Sequence, residues 1–365
     1  MNPKNTILVG IASLRRGGAE RVVSLLTQEW EKTHRVLVVL FDRRIQAYPV
    51  GGTIISLKVH ASNNLVVKLK NFFIRCWIIR RLIIKYKPHR MFTFGESANF
   101  PFLFAAISIN SLPRLTISIH NPPQNVSHLF WFPMKLFYSL LPKIVVVGKG
   151  LVREVEKFIK TKRGVVVHIP NPIDLKLINR QKKEFDQVHP RPFFLGMGRL
   201  EYQKGFDLLL EAFAFIREQC DADLIIIGEG SQKEKLLTLI QQYDLGKRVF
   251  LLPSTSNPFP YFYQSLAFIL SSRYEGWGIV MVEAMACETP VIAFKCPVGP
   301  RQIIGDNRWG ILVPPENTRE LGKTILNLYR DPVKRQYYRE QGYLRAQDFL
   351  VEKIAPQWLK DHGTF

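Results

Sequence analysis

The chain has 365 residues, 47% of them apolar, with 23 glycines and 23 prolines, which suits about two globular domains and excludes a disordered protein. Its formal charge of +21 is carried entirely by the first half: residues 1–184 hold 30 Lys and Arg against 9 Asp and Glu, while residues 185–365 hold 21 of each. That asymmetry points to an anionic partner for the first half, either nucleic acid or an acidic membrane.

Thr6 to Ile11 reads as a buried strand, followed by a glycine-containing loop and a helix from about Ala19 to Glu31. In that loop, Arg16-Gly17-Gly18-Ala19-Glu20-Arg21 is either a ligand-approaching turn or a tight strand-to-helix connection. Arg35 to Asp42 and Thr53 to Lys58 are the next strands. Asn64 to Lys87 is then a helix with Leu65, Val66, Leu69, Phe72, Phe73, Cys76, Trp77, Ile79, Ile83 and Ile84 over a broad apolar surface. Lys68, Lys70, Arg75, Arg80, Arg81, Lys85 and Lys87 give it seven positive charges and no acid. A basic amphipathic helix with aromatics suits an anionic bilayer surface, and one stripe of it can equally pack on a sheet.

Arg90 to Phe94 and Leu115 to His120 read as strands. His120 therefore falls at a strand end, and Asn121-Pro122-Pro123 prevents a helix from following it. Leu129 to Leu141 crowds aromatic and apolar residues beside Lys135 and Lys143, as a second membrane-facing patch, an acceptor pocket or plain core. Lys143 to Val147 and Val165 to Ile169 are strands, and the polar stretch Lys176 to Pro192 reads as a linker. The expected domains are residues 1–175 and 190–345, with 346–365 a tail returning to the first.

The second domain opens on the strand Phe193 to Met197, followed by Gly198-Arg199-Leu200-Glu201-Tyr202-Gln203-Lys204-Gly205. A guanidinium and an ammonium five residues apart, at a strand end and in a glycine-containing loop, can converge on one phosphate. Asp221-Ala222-Asp223 has a metal-transferase spacing, yet it precedes a strand and so lies on the wrong edge of a sheet for a ligand. Gly196-x-Gly198 and Gly228-x-Gly230 are only fragments of a dinucleotide fingerprint. Pro253 follows the strand from Val249.

Phe268 to Phe294 is a βαβ unit: a buried strand to Leu270, a loop with Gly276 and Gly278, a helix from Ile279 to Cys287, and a strand from Val291. The N–H groups near Gly278, Ile279 and Val280 form an anion site suited to a diphosphate. Glu275 in the loop and Glu283 on the helix either flank that site, as a ligand with hydroxyls on both sides of a diphosphate would require, or serve as a helix cap and a solvated helix residue.

This block closely resembles the E-x7-E signature of the retaining glycosyltransferases of family 4. The resemblance implies a GT-B fold, α/β with two Rossmann-like domains facing a central cleft. It also implies Glu275 on the donor sugar's hydroxyls and Glu283 on the ribose. G-R-L-x-x-Q-K-G resembles the family's diphosphate clamp, which gives Arg199 and Lys204 that role. The Gly17-Gly18 loop resembles its G-G-A-E motif, and His120 its residue near the transferred sugar. The loop after Pro253 corresponds to the one bordering the base, and Asn171-Pro172-Ile173-Asp174 to the turn ending the first domain. Cys296 to Ile304 resembles a stretch of members that build bacterial surface glycans. Glu288 and Gln302 depart from the pattern, where relatives commonly have Gly and Glu.

The expected function is transfer of a hexose or N-acetylhexosamine from a UDP-sugar to a polyprenyl-diphosphate-linked glycan at the cytoplasmic membrane face. No cofactor and no metal are expected. Scattered cysteines (Cys76, Cys220, Cys287, Cys296), no long apolar run and no secretory signal fit a cytoplasmic, peripheral protein. Two rivals stand beside this reading: a basic nucleic-acid-binding protein, and a GT-B protein that binds nucleotide sugar without transfer. Nucleic acid is disfavoured because the basic residues flank Ile, Leu, Trp and Phe at helical spacing rather than interleaving with polar residues.

Overall fold

A computed structural model describes residues 5–360 except 16, 43–45, 60, 61, 63, 121, 124, 125 and 127–129, so the expectations at Arg16, Asn121 and Leu129 lie outside the described residues. The described chain forms two compact units, residues 1–172 with 351–365, and residues 173–350.

The first unit is built on β1 (Thr6–Ile11), β2 (Arg35–Leu40), β3 (Thr53–Ser56), β4 (Arg90–Phe94), β5 (Leu115–Ile119), β6 (Lys143–Val146) and β7 (Val166–His168). All pair in parallel, in the order β3-β2-β1-β4-β5-β6-β7. Continuous runs such as TILVGI form strands buried along their length, because parallel sheets are covered on both faces. The covering helices are α1 (Gly18–Trp30), α2 (Leu65–Tyr86), α3 (Glu96–Ile107), α4 (Trp131–Phe137) and α5 (Lys149–Ile159).

The second unit begins with α6 (Leu175–Gln181), which runs into the stretch from Lys176 read as a linker. Asp174 caps it by accepting from the Leu177 N–H at 2.9 Å, and Ile178 buries its inner face. The sheet comprises β8 (Phe193–Met197), β9 (Asp223–Ile227), β10 (Val249–Leu252), β11 (Ala267–Leu270), β12 (Val291–Phe294) and β13 (Ile311–Val313), all parallel in the order β10-β9-β8-β11-β12-β13. Around it lie α7 (Phe206–Ile216), α8 (Lys233–Gln242), α9 (Phe259–Gln264), α10 (Ile279–Ala286), α11 (Gly299–Ile304), α12 (Thr318–Arg330) and α13 (Pro332–Ala346).

The last helix, α14 (Val351–Leu359), belongs to the first unit. Its Trp358 is buried against Phe92, Phe94 and Trp30, and the Trp30 indole N–H donates to the Ala355 carbonyl at 3.2 Å. The buried Lys143 ammonium donates to the Trp358 and Lys360 carbonyls. Both sheets reverse strand order once, at β1/β4 and at β8/β11. The carboxyl ends of the strands flanking such a reversal are where open α/β sheets bind ligands.

Candidate active site

In the second unit, two loops leave the β8/β11 reversal: Gly198–Gly205 after β8 and Ser271–Gly278 after β11. They are stitched together. The Arg273 N–H donates to the Gln203 carbonyl at 2.9 Å, the Gln203 amide to the Tyr274 carbonyl at 2.9 Å, and the Ser271 hydroxyl to the Lys204 carbonyl at 3.0 Å. Gly205, at φ +60°, is where the loops touch: a Cβ there would lie 2.1 Å from the Ser271 carbonyl oxygen.

That seam carries an ion pair. The Lys204 ammonium lies 2.5 Å from Glu275 Oε1, with both side chains largely buried, and the Ser272 hydroxyl donates to the same oxygen at 2.7 Å. The first loop thus delivers a cation directly to the carboxylate of the second. Arg199 is exposed at the start of its loop, near Gln203. Glu275 is also held through its backbone by a parallel bridge to Val298, which adopts the left-handed φ of +77°. The neighbouring Cys296 thiol is pushed up to about 12 by burial and by the Glu275 charge, so it stays protonated.

Gly276 is buried in the same loop, and Gly278, at φ +85°, caps α10. The N–H groups of Ile279 and Val280 open the helix, and such groups have no partner within their own helix. Glu283 is buried one turn further on. Pro253 is exposed just beyond β10, two strands from β8.

Sequence reading missed Ser272 and Arg273. The Arg273 guanidinium binds both Asp207 oxygens at 2.8 and 2.9 Å, donates to the Tyr202 carbonyl at 2.8 Å and stacks over the Tyr202 ring. Burial acts to raise the Asp207 carboxyl, but the Arg273 hydrogen bonds and charge hold it below the usual range. A charged residue two positions before Glu275 was the only signal, and its partners Asp207, Tyr202 and Glu316 lie 66, 71 and 43 residues away.

In the first unit, Gly17 caps α1 and Gly18 begins it, directly after β1. His120 follows β5 and its Nε2 is 3.0 Å from the Ser118 hydroxyl. Burial lowers its pKa to about 4, so it is neutral at pH 7. Glu96, which sequence reading did not select, opens α3 after β4, and burial raises its carboxyl.

Asp223 stands at the amino end of β9 with 1% exposure, bonded to Arg248 Nε at 2.9 Å and His189 Nε2 at 2.8 Å. The Asp221-x-Asp223 pair is therefore structural. Among the described residues, no group of three or more His, Cys, Asp or Glu is placed to hold a metal ion.

Helix α2 buries only Ile79 and Ile83. Leu65, Leu69, Phe73 and Trp77, one turn apart in succession, are each more than half exposed. Lys68, Lys70, Arg80, Arg81 and Lys85 are exposed with them, and the Arg81 guanidinium lies 4.2 Å from the centre of the Trp77 ring. Arg75 departs from the surface role expected for it. Its guanidinium donates to the Val59 carbonyl at 2.8 Å and packs on the Phe41 ring, and burial lowers its pKa. No helix of the described residues is long and apolar enough to cross a membrane.

The two doubly wound units place an acid–base pair and a helix start at the strand-order reversal of the second. Residues 16–177 match the family described as Glycosyltransferase Family 4, and residues 178–345 the one described as Glycosyl transferases group 1. The chain belongs to these glycosyltransferases, with the GT-B fold. Among its relatives is the N-acetylgalactosamine-N,N'-diacetylbacillosaminyl-diphospho-undecaprenol 4-alpha-N-acetylgalactosaminyltransferase of Campylobacter jejuni, 29% identical over 96% of this chain and 97% of that one. Another is the amylovoran biosynthesis glycosyltransferase AmsD of Erwinia amylovora, 29% identical over 62% of this chain and 63% of that one. Among solved structures, Anabaena HepE in complex with UDP and glucose superposes with a TM-score of 0.81 at 18% identity, covering 97% of this chain and 98% of that one.

Proposed function

We propose that this glycosyltransferase moves a hexose or N-acetylhexosamine from a UDP-sugar, with retention of anomeric configuration, to a glycan carried on polyprenyl diphosphate at the inner face of the cytoplasmic membrane. The observation that supports the reading is the Lys204–Glu275 contact at the β8/β11 reversal, which joins the ammonium this reading gives to the phosphate and the carboxylate it gives to the sugar. The Campylobacter relative's diphospho-undecaprenol acceptor and the UDP in the Anabaena complex supply the acceptor and donor classes.

As the anomeric bond breaks, charge builds on the leaving diphosphate. Arg199, Lys204 and the α10 start, with Gly276 and Gly278 letting the backbone approach, supply the compensating positive charge, so this reading assigns no metal. Glu275 orients the sugar ring, Glu283 takes the ribose hydroxyls, and the loop after Pro253 borders the base. This reading also gives Gly17, Gly18 and neutral His120 to the transferred sugar. A front-face course, with the leaving phosphate accepting the acceptor's proton, needs no enzyme nucleophile. The exposed α2 residues Lys68, Lys70, Trp77, Arg80, Arg81 and Lys85 hold the enzyme on an anionic membrane that contains its acceptor.

The test is nucleoside diphosphate release from UDP-, GDP- and ADP-sugars, with and without membrane lipid extract and with EDTA. Lipid-dependent release from a UDP-sugar that survives EDTA and is lost in Glu275→Ala supports the reading. Tight, salt-sensitive RNA retention without release from any donor would replace it with the nucleic-acid reading.

A further inference from the structure

His120 does not sit alone at the end of β5; it closes a chain of buried hydroxyl and amide groups. The Thr93 hydroxyl donates to Asn99 Oδ1 at 2.7 Å, the Asn99 amide donates to the Ser118 carbonyl at 3.2 Å, and the Ser118 hydroxyl donates to the Thr93 carbonyl at 3.0 Å. All three side chains are fully buried, and each bond joins two of the elements β4, α3 and β5. Buried polar groups of this kind are held where they are because the alternative is an unmade hydrogen bond.

The proton count decides what His120 is. A serine hydroxyl has one proton, so Ser118 can donate to the Thr93 carbonyl or to Nε2 but not to both, and the two contacts are hydrogen bonds together only when it donates to Thr93. The contact of 3.0 Å between Ser118 Oγ and His120 Nε2 is then a hydrogen bond only if Nε2 carries the proton and donates it. We infer that Ser118 is a positioning residue that fixes His120 as the Nε2–H tautomer, leaving Nδ1 as an acceptor for a hydroxyl of the transferred sugar. The last clause rests on the glycosyltransferase reading; the tautomer does not. The lowered pKa agrees with it, since a neutral ring must hold its proton on one nitrogen. The consequence is a specificity rule: the sugar position facing His120 carries a hydrogen-bond donor, and a deoxy sugar there is a poor donor substrate.

The experiment is long-range proton–nitrogen correlation NMR on the full chain labelled with 15N-histidine at pH 7. The His120 signals are those that vanish in His120→Gln, out of eight histidines. The inference expects the Nε2–H pattern in the unaltered protein. An Nδ1–H or imidazolium pattern there overturns it without any variant at Ser118. In Ser118→Ala the tautomer preference should relax, and kcat/KM with the best UDP-sugar should fall about tenfold, the worth of one hydrogen bond. Ser118→Thr, which keeps the hydroxyl, should retain both. An unchanged tautomer and unchanged kcat/KM in Ser118→Ala refute the positioning role. The Nε2–H pattern with no transfer from any UDP-sugar sinks the functional reading and leaves the tautomer assignment standing.

Discussion

Removing Lys204 should cost more stability than removing the charge of Glu275, because the carboxylate is the more deeply buried partner. Glu275 is 7% exposed at its side chain and Lys204 16%. In Lys204→Met, Glu275 keeps the Ser272 hydroxyl but loses its cation. A buried charge stripped of its partner costs about 3–5 kcal/mol, and partial access of water to Lys204 puts this case near the lower figure, about 3. In Glu275→Gln the amide oxygen can still accept from Lys204 and Ser272, so the loss is about 1–2 kcal/mol. The double variant has no uncompensated carboxylate, and the two losses should fall short of additivity by about 1–2 kcal/mol. Urea unfolding of the four proteins, followed by far-UV circular dichroism, gives the cycle. Additive losses, or a Lys204→Met loss below that of Glu275→Gln, would refute the claim that the pair is coupled in the free enzyme.

Arg273→Lys should lower stability by about 2 kcal/mol, since lysine cannot bind both Asp207 oxygens and stack on Tyr202, and should raise the donor KM as the two loops loosen; unchanged melting and KM would show the seam to be passive. Exchanging Lys68, Lys70, Arg80, Arg81 and Lys85 for glutamine should weaken binding to anionic vesicles by about 1 kcal/mol per charge. Arg75→Ala should instead leave vesicle binding intact and lower the melting temperature; co-sedimentation and thermal unfolding separate the two outcomes. His120 and His168 have their pKa values lowered from 6.5 to about 4, chiefly by burial. The unfolded chain therefore takes up protons that the folded one refuses, and stability should fall as pH drops from about 6.5 toward 4. That amounts to about 1–2 kcal/mol per histidine at pH 5, discounted for partial exposure. Urea midpoints at pH 7 and 5 measure it, and His120→Gln should remove one share of the slope.

The strands, the clamp loop and the E-x7-E helix were legible because their signals are local. Apolar runs such as TILVGI and RVLVVL are too short and too rich in β-branched residues for buried helices and so read as strands, and the glycines mark where the chain turns at a strand's carboxyl end. The pairing of Lys204 with Glu275 was not legible, since its partners are 71 residues apart and meet only because β8 and β11 are neighbours. Glu288 shows the same limit. In the sequence it is a charge where relatives commonly have glycine, and in the structure it keeps the positive φ, +57°, that glycine would take. Its carboxylate lies 2.6 Å from the buried Lys182 ammonium at the end of α6, 106 residues earlier. That pair helps bind the segment 176–192 into the second unit, where polar composition alone suggested a linker. Arg75 misled for the opposite reason: helical periodicity assigns a face, but a long side chain can turn back to a carbonyl and a ring that belong to other segments.

The most direct test of the central claim is transfer of labelled sugar from the UDP donor to a polyprenyl-diphosphate-linked glycan in anionic vesicles, comparing the unaltered enzyme with Glu275→Ala. The account predicts label in the lipid fraction, joined with the donor's anomeric configuration, and none with Glu275→Ala at equal folding. Label in the lipid fraction at equal rates with both proteins, or UDP release with no labelled lipid, would contradict it.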